Sequence, residues 1–299
     1  MTDNFADRLL EAVEAKGSPV CVGLDPRVEH LPEDFQLDCR GQTAQAEAVR
    51  LWGRELLEVV APIVPAVKPQ SAYFEKLGAP GVAAYIHLVG YAKKLGLLVL
   101  GDVKRNDIGS TAEAYADAHL SGPGGADAVT VNGYLGADGI EPFLKVCRAE
   151  GKGVFVLVRT SNPSAPAVQD FADASGKKLY EHVAEMVAAL GDGTGLVGSR
   201  GYSSVGAVVG ATWPDEARKL RRLMPRQIFL VPGYGAQGAS ASDCAASFQA
   251  DGAGAIVNAS RSVIFAHRDK QYAGMDWKQA VGRAARAFAV DIARAVGKA

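Results

Sequence analysis

The chain has 299 residues, of which 48% are hydrophobic and 22% are charged, so it can bury a large core and does not resemble a disordered or fibrous protein. Its 32 basic and 33 acidic residues are interspersed and give a formal net charge of -1, which argues against a nucleic-acid-binding protein. Because no apolar run approaches the roughly 20 residues of a membrane span, and acidic residues among positions 1–15 do not fit a secretory signal, we expect a cytoplasmic protein without a membrane segment.

Short apolar runs alternate along the chain with segments of helical periodicity. The predicted strands are 19–24, 66–69, 97–103, 128–131, 154–158, 206–210, 228–231 and 255–258. These runs are apolar on both faces, as in a parallel sheet covered by helices, and their number favours an α/β fold of the (β/α)8 TIM barrel type. A doubly wound open sheet is the alternative, but the glycine-rich turn typical of it is absent after the first run.

The intervening segments supply the outer helices of this barrel. Helices are predicted at about 5–15, 44–60, 81–95 and 178–190, with a closing helix that places apolar residues between 281 and 296 on one face. No linker or repeat divides the chain, so we predict a single domain over 1–299, although two ordinary domains would also fit this length. Extended loops are predicted at 28–43 after strand one and at 160–176 after strand five, and the second is a lid candidate.

Chemistry-bearing residues collect where the predicted strands end, which is where TIM barrels build active sites. Asp102 and Lys104 share one face of strand three and would point into the barrel mouth. Lys68, which ends strand two, is a natural second partner for the Asp102 carboxylate, because buried charges need pairing. A purely structural ion pair that closes the top of the barrel is the alternative.

The loops after strands seven and eight carry an anion-binding pattern. The glycine-rich segment around Gly235 provides flexible backbone whose N–H groups could face a phosphate, and Arg261 adds a guanidinium suited to bidentate contact. Loops at these two positions often bind phosphate in TIM barrels. The four cysteines and five histidines are scattered, so we expect reduced structural thiols and no metal site.

These motifs together resemble the orotidine 5'-phosphate decarboxylase family, in particular its longer bacterial branch. The resemblance covers nearly the whole chain and rests on five segments: Val22-Gly23-Leu24-Asp25, Val67-Lys68-Pro69-Gln70, the run from Asp102 to Thr111, Pro232 to Gly238, and Ser260-Arg261-Ser262. It implies a homodimeric enzyme that converts orotidine 5'-phosphate to uridine 5'-phosphate and carbon dioxide in pyrimidine biosynthesis, without a cofactor or metal.

The resemblance also implies a role for each matching residue. Lys68, Asp102, Lys104 and Asp107 would form a charged catalytic tetrad in which Lys104 protonates C6 of the pyrimidine. Asp107, Ile108 and Thr111 would reach into the partner subunit's site. Substrate contacts are implied for Asp25 and Lys68 at the ribose, Ser161 at the pyrimidine, and Gly235, Gln237 and Arg261 at the phosphate.

Two other functions fit parts of this pattern. A metal-dependent sugar-phosphate decarboxylase or aldolase on the same barrel shares the D-x-K-x-x-D motif, but such enzymes place a carboxylate where this chain has Lys68, which would repel a divalent cation. A non-catalytic nucleotide-binding relative is the second alternative. Such a protein has no need of Lys104 beside two carboxylates.

Overall fold

The computed structural model describes residues 3–36, 39–235 and 238–298. Within these ranges eight parallel strands form a closed barrel in which each strand pairs with the next and the last returns to the first. They are β1 (Val20–Leu24), β2 (Ala66–Pro69), β3 (Leu98–Arg105), β4 (Ala128–Val131), β5 (Gly153–Arg159), β6 (Ser203–Val209), β7 (Gln227–Pro232) and β8 (Ala255–Ala259). The predicted (β/α)8 barrel is confirmed, since every predicted strand overlaps an observed one.

Helices follow the strands and cover the outside of the barrel. In the described part of the chain they are α1 (Phe5–Lys16), α2 (Gly41–Val60), α3 (Ser71–Glu75), α4 (Gly78–Lys94), α5 (Gly109–Ala116), α6 (Ala137–Glu150), α7 (Pro166–Gln169), α8 (Leu179–Gly191), α9 (Pro214–Leu223), α10 (Ala241–Ala245), α11 (Arg261–Ile264) and α12 (Trp277–Ala295). A π-helical turn, Asp117–Ser121, extends α5. None of the helices in these ranges is long and apolar enough to cross a membrane.

Two helices begin earlier than the sequence pattern predicts. The second helix starts at Gly41 rather than at 44, and the fourth at Gly78 rather than at 81. The start of α4 contains Gly78 and Pro80, which are both poor helix formers, so its sequence does not show a helical pattern. A proline in the first helical turn is tolerated because the backbone N–H that it lacks would have no partner inside the helix.

Helix α1 closes the amino-terminal end of the barrel. Its side chains join inward-facing strand residues in one buried apolar cluster, and the Phe5 ring packs edge-on against Phe155 with a centroid distance of 5.9 Å. Gly153 makes room for this contact, because any Cβ at that position would collide with the Phe5 ring. A second, larger cluster fills the space between the strands and the outer helices. The carboxyl-terminal end of the barrel is therefore the open end.

The connections after β1 and β5 are long. The first contains the 3-10 turns Val28–His30 and Glu33–Phe35, and residues 37–38 within it lie outside the described ranges. The second contains α7 and an isolated bridge between Ala172 and Lys178. This second connection is thus a folded segment beside the barrel mouth.

Candidate active site

A cavity of 440 Å³ occupies the carboxyl-terminal mouth of the barrel. All eight strands, or the residues that directly follow them, contribute to its lining, for example through Asp25, Lys68, Asp102, Thr130, Ser161, Val208, Pro232 and Asn258. A larger cleft of 660 Å³ lies outside the barrel against α12, and its lining includes none of the predicted site residues. Five of the predicted site residues line the smaller cavity, which is where a TIM barrel places its active site.

The Asp102 carboxylate is the centre of the polar side chains in this cavity. Asp102 is 6% exposed and accepts hydrogen bonds on both oxygens. Its Oδ2 accepts from Lys68 Nζ at 2.7 Å and from Gln70 Nε2 at 2.9 Å. Its Oδ1 accepts from Thr130 Oγ1 at 2.9 Å and also from Lys104 Nζ. The predicted Lys-Asp-Lys arrangement is therefore present, with two neutral donors added to it.

These contacts keep both Asp102 and Lys68 charged in the cavity. Burial alone would raise the pKa of the Asp102 carboxyl, but the ammonium groups of Lys68 and Lys104 outweigh burial and hold the pKa well below 3.8. Burial alone would lower the pKa of Lys68, but Asp102 and Asp25 outweigh it and raise the pKa above 10.5. Lys68 therefore holds its proton tightly and is a poor acid.

Lys104 is presented to the cavity by an irregularity in β3. Its φ of 46° makes it the single non-glycine residue with a positive φ in the described ranges, and the pairing of β3 with β4 shifts between Gly101 and Arg105. The Thr130 hydroxyl accepts the Lys104 N–H at 3.0 Å and so stabilises this conformation. Strained backbone of this kind concentrates at functional positions. The Lys104 side chain is 46% exposed, so its ammonium can meet a ligand as well as Asp102.

Unpartnered oxygen atoms lie elsewhere in the cavity wall. The Oδ1 atoms of Asp25 and Asn258 are buried and have no hydrogen-bond partner in the part of the chain that the structure describes. A buried acceptor without a partner costs free energy, which a ligand hydroxyl or N–H group would recover. Ser161 lines the same cavity, so five of the predicted site residues meet here: Asp25, Lys68, Asp102, Lys104 and Ser161.

Three predicted residues lie outside the cavity of their own chain. The Asp107 side chain turns back to accept a hydrogen bond from the Ile108 N–H at 2.9 Å, and Ile108 is 56% exposed. Thr111 lies on the exposed side of α5. None of the three lines the cavity of its own chain.

The predicted phosphate residues also lie beside the cavity rather than in its lining. A Cβ built on Gly235 would lie 3.9 Å from Ser262 Oγ, so the loops after β7 and β8 are neighbours. The Gly235 N–H donates to Ala239 O at 2.9 Å, and Arg261 is exposed at the start of α11. Gln237 lies outside the described residues. An anion at Gly235 would have to compete with Ala239 for its N–H.

Gln70, Thr130 and Asn258 line the cavity but are not among the predicted site residues. Thr130 is a polar residue in the otherwise apolar strand Ala128–Val131, and such a residue is a usable signal because a buried hydroxyl needs a partner. Asn258 ends the eighth predicted strand. Gln70 carries no comparable signal, because it lies past the end of β2 and meets Asp102 only through the pairing of β2 with β3.

Comparison with known proteins decides the family. A model of the orotidine 5'-phosphate decarboxylase / HUMPS family matches residues 18–275. The chain belongs to this family. The orotidine 5'-phosphate decarboxylase of Rhodopirellula baltica is 45% identical over 289 residues, which are 93% of this chain and 95% of that protein. That of Deinococcus radiodurans is 43% identical over 266 residues, or 89% and 91% of the two chains.

The fold comparison agrees with this family assignment. The structure of Leishmania donovani OMP decarboxylase matches with a TM-score of 0.78 and 31% identity, and the match covers 98% of this chain and 99% of that one. The resemblance to orotidine 5'-phosphate decarboxylases, bacterial ones included, is confirmed.

Proposed function

We propose that this protein is a carboxy-lyase that converts orotidine 5'-phosphate to uridine 5'-phosphate and carbon dioxide. The observation that carries the proposal is the placement of the Lys104 ammonium against the buried Asp102 carboxylate, beside Lys68, in the cavity at the barrel mouth. Relatives named orotidine 5'-phosphate decarboxylase match nearly the whole chain.

The arrangement suits the hardest step of this reaction. When the bond between C6 and the carboxylate breaks, carbon dioxide leaves and an electron pair remains on C6. The Lys104 ammonium stabilises this negative charge and donates a proton to C6, and the neutral amine then regains a proton from solvent. Lys68 is buried against Asp102 with a raised pKa, whereas the Lys104 side chain is 46% exposed, so Lys104 is the better placed donor and Lys68 helps to keep Asp102 ionised. Asp102 repels the substrate carboxylate, and this repulsion fades as neutral carbon dioxide forms.

The rest of the cavity would hold the nucleotide. Asp25 and Lys68 would contact ribose hydroxyls, and Ser161 would contact the pyrimidine edge. Gly235, Gln237 and Arg261 would contact the phosphate. Because the phosphate is remote from C6, its binding energy can drive closure of a loop, for which the segment 160–176 is the candidate, and so lower the barrier as well as the KM.

We propose a homodimer in which Asp107, Ile108 and Thr111 enter the partner subunit's site. Asp107 lies outside its own cavity, as such a role requires. A Cβ built on Gly139 would lie 3.0 Å from Asp107 O and 3.4 Å from Leu135 Cβ, so the loops after β3 and β4 adjoin. Ile108, Tyr134 and Leu135 on these loops are 56%, 81% and 41% exposed, and an exposed apolar surface of this kind favours a protein partner.

A metal-dependent sugar-phosphate decarboxylase or aldolase is the rival on the same barrel. Lys68 opposes it, because its tightly held proton keeps a positive charge 2.7 Å from the carboxylate that a divalent cation would need. We also propose that the whole chain is one domain that works in the cytoplasm without a cofactor. The buried free thiols of Cys21, Cys147 and Cys244 suit a reducing compartment.

The test of the proposed function is the decrease in ultraviolet absorbance when purified protein meets orotidine 5'-phosphate in the presence of EDTA. We expect turnover that the chelator does not change. Activity that requires magnesium would instead favour the rival enzyme. Tight nucleotide binding without turnover would show that the protein is a binder.

A further inference from the structure

Arg159, the last residue of β5, is a buried cation that the proposed reaction does not use. It is 0% exposed and does not line the cavity. Its guanidinium forms an ion pair with Asp170, with 2.8 Å between Nη1 and Oδ1, and lies over the rings of Trp213 and Tyr180 at 4.2 and 5.1 Å. Burying a guanidinium is costly unless it is paired in this way, so each of these partners matters.

The partners of Arg159 come from different segments around the barrel mouth. Asp170 and Tyr180 belong to the long connection after β5 and to α8, whereas Trp213 directly precedes α9. Glu216 on α9 approaches the second guanidinium nitrogen at 3.7 Å. Arg159 therefore joins the strand, the connection after β5 and the start of α9 at one point.

The residue that follows Arg159 is held from three sides. The Thr160 N–H donates to Gln169 Oε1 at 3.1 Å, and its hydroxyl accepts from Gln169 Nε2 at 2.6 Å. The Thr160 carbonyl accepts from Trp213 Nε1 at 2.9 Å. Arg159 Nη1 also donates to Gln169 Oε1 at 3.5 Å, and Trp213 covers the guanidinium, so both residues that hold Thr160 are in contact with the Arg159 side chain.

Ser161, the next residue, has little freedom as a result. A Cβ built on Gly210, just beyond β6, would lie 2.9 Å from Ser161 Cβ, so Ser161 packs directly on the backbone there. The Gly210 N–H donates to the backbone carbonyl of Arg159 at 2.8 Å, so the main chain around Arg159 and Ser161 is attached to the end of β6. Ser161 lines the cavity at a place set by Arg159, Trp213 and Gly210.

We infer that Arg159 is a positioning residue: acting through Trp213, it holds Ser161 where the Ser161 side chain meets the pyrimidine ring. The inference rests on the proposed function, which supplies the pyrimidine. A small shift of a binding group weakens the contacts that it makes, while groups held by other segments keep theirs. Loss of Arg159 therefore weakens contacts to the base and leaves contacts to the ribose phosphate in place.

The chain contains a matched control in Arg221, a second buried arginine that is 7% exposed. Its guanidinium donates to four backbone carbonyls, those of Ser247, Met224, Gln227 and Gly254. Gln227 begins β7 and Gly254 precedes β8, so Arg221 lies at the closed end of the barrel. Its loss would affect stability alone.

The experiment compares Arg159→Met, Arg221→Met and Trp213→Phe with the unmodified protein. It measures kcat and KM for orotidine 5'-phosphate, the inhibition constants of uridine 5'-phosphate and ribose 5-phosphate, and the Tm. For Arg159→Met we expect the KM and the uridine 5'-phosphate constant to rise about tenfold or more, with the ribose 5-phosphate constant unchanged. For Arg221→Met we expect a lower Tm and unchanged constants.

Trp213→Phe keeps an aromatic ring but removes the N–H that holds the Thr160 carbonyl. We expect about a threefold to tenfold rise in the same two constants, with a Tm that falls no further than that of Arg221→Met, and this variant decides the matter if Arg159→Met does not fold. Unchanged affinity for uridine 5'-phosphate, or an equal loss for both ligands, would overturn the inference. Absence of turnover in the unmodified protein would instead overturn the proposed function, and calorimetric affinities for the two ligands would then replace the inhibition constants.

Discussion

The two ends of the barrel are built from the same strands but differ in chemistry. At the amino-terminal end α1 closes the barrel, and inward side chains such as Leu100 and Phe155 join the apolar cluster beneath it. At the carboxyl-terminal end the mouth is open, and two residues beyond Leu100 on β3 the inward residue is Asp102. Two positions along an alternating strand thus separate an apolar residue that stabilises the fold from a charged residue that lines the cavity.

The two ends of the barrel contribute differently to the free energy of folding. Apolar burial at the closed end is favourable by itself, whereas the charges at the mouth must be paired to be tolerated. The pairs at the mouth are therefore weak sources of stability and strong constraints on position. Substitutions at the mouth should change activity more than stability, and substitutions at the closed end should do the reverse.

The largest expected effect is that of Lys104→Ala at the mouth. This change removes the proposed proton donor and the positive charge that stabilises C6, so kcat should fall at least about 10⁴-fold. Circular dichroism and the Tm should remain close to those of the unmodified protein. The exposed Lys94→Ala at the end of α4 is the control and should retain full kcat. Substantial turnover by Lys104→Ala would contradict the assigned role.

The next effect concerns whether the mouth is completed by a second chain. Asp107→Ala and Lys104→Ala should each be inactive alone, but mixed dimers should contain one intact site. Random exchange of subunits in an equal mixture should restore about a quarter of the unmodified activity. Activity is measured before and after exchange, which native mass spectrometry of tagged subunits verifies. No recovery after verified exchange would show that each site is built from one chain.

At the closed end, Phe5→Ala should lower the free energy of unfolding by about 3 to 5 kcal/mol, because it leaves a cavity between α1 and the Phe155 ring. The KM for orotidine 5'-phosphate should stay the same. Urea unfolding and steady-state kinetics on the same sample check both statements. If the change in KM, converted to a free energy, exceeded the loss of folding free energy, the two ends would be coupled.

The smallest expected effect separates an outer pocket from both ends. His119 lies in an apolar pocket between α4 and the π-helical turn, where burial and the nearby Arg105 lower its pKa to about 4 against the partial opposition of Glu75. Between pH 6.5 and 4 the unfolded chain binds a proton at His119 that the folded chain does not, so stability falls as the pH falls through this window.

The corresponding variant is His119→Gln, which cannot titrate. Its Tm should fall less between pH 6.5 and 4 than that of the unmodified protein, by about 2 to 4 °C. The exposed His87→Gln should change the pH dependence less than His119→Gln does, because burial and the nearby Arg50 lower the pKa of His87 by a smaller amount. An identical pH dependence in His119→Gln and the unmodified protein would show that His119 is not the group responsible.

Much of the fold was predictable from the sequence because strands of a barrel covered by helices are apolar on both faces. All eight were found, and the errors are confined to ends: β3 extends to Arg105 and β6 begins at Ser203. These end residues are polar, so a search for apolar runs leaves them out. The pairing of Asp102 with Lys68 was also predictable, because adjacent parallel strands bring their carboxyl ends together.

The partners that complete the site were not predictable in the same way. Gln70 and Thr130 reach Asp102 from neighbouring segments, and a sequence does not state the register that brings them there. The positive φ of Lys104 depends on the irregular pairing of β3 with β4. Arg159 lies just beyond the predicted strand 154–158, and its enclosure by Asp170, Trp213 and Tyr180 is a tertiary contact that no local pattern indicates.

The order of strands and helices and the charges at the ends of β2 and β3 follow from periodicity and residue type, which are local properties of the chain. Which of those residues share a cavity depends on how the barrel closes, and closure leaves Asp107, Ile108 and Thr111 outside. A buried charge is stabilised by whichever partners the closed barrel brings within hydrogen-bonding distance. Those partners are distant in sequence, so only the closure of eight strands selects them.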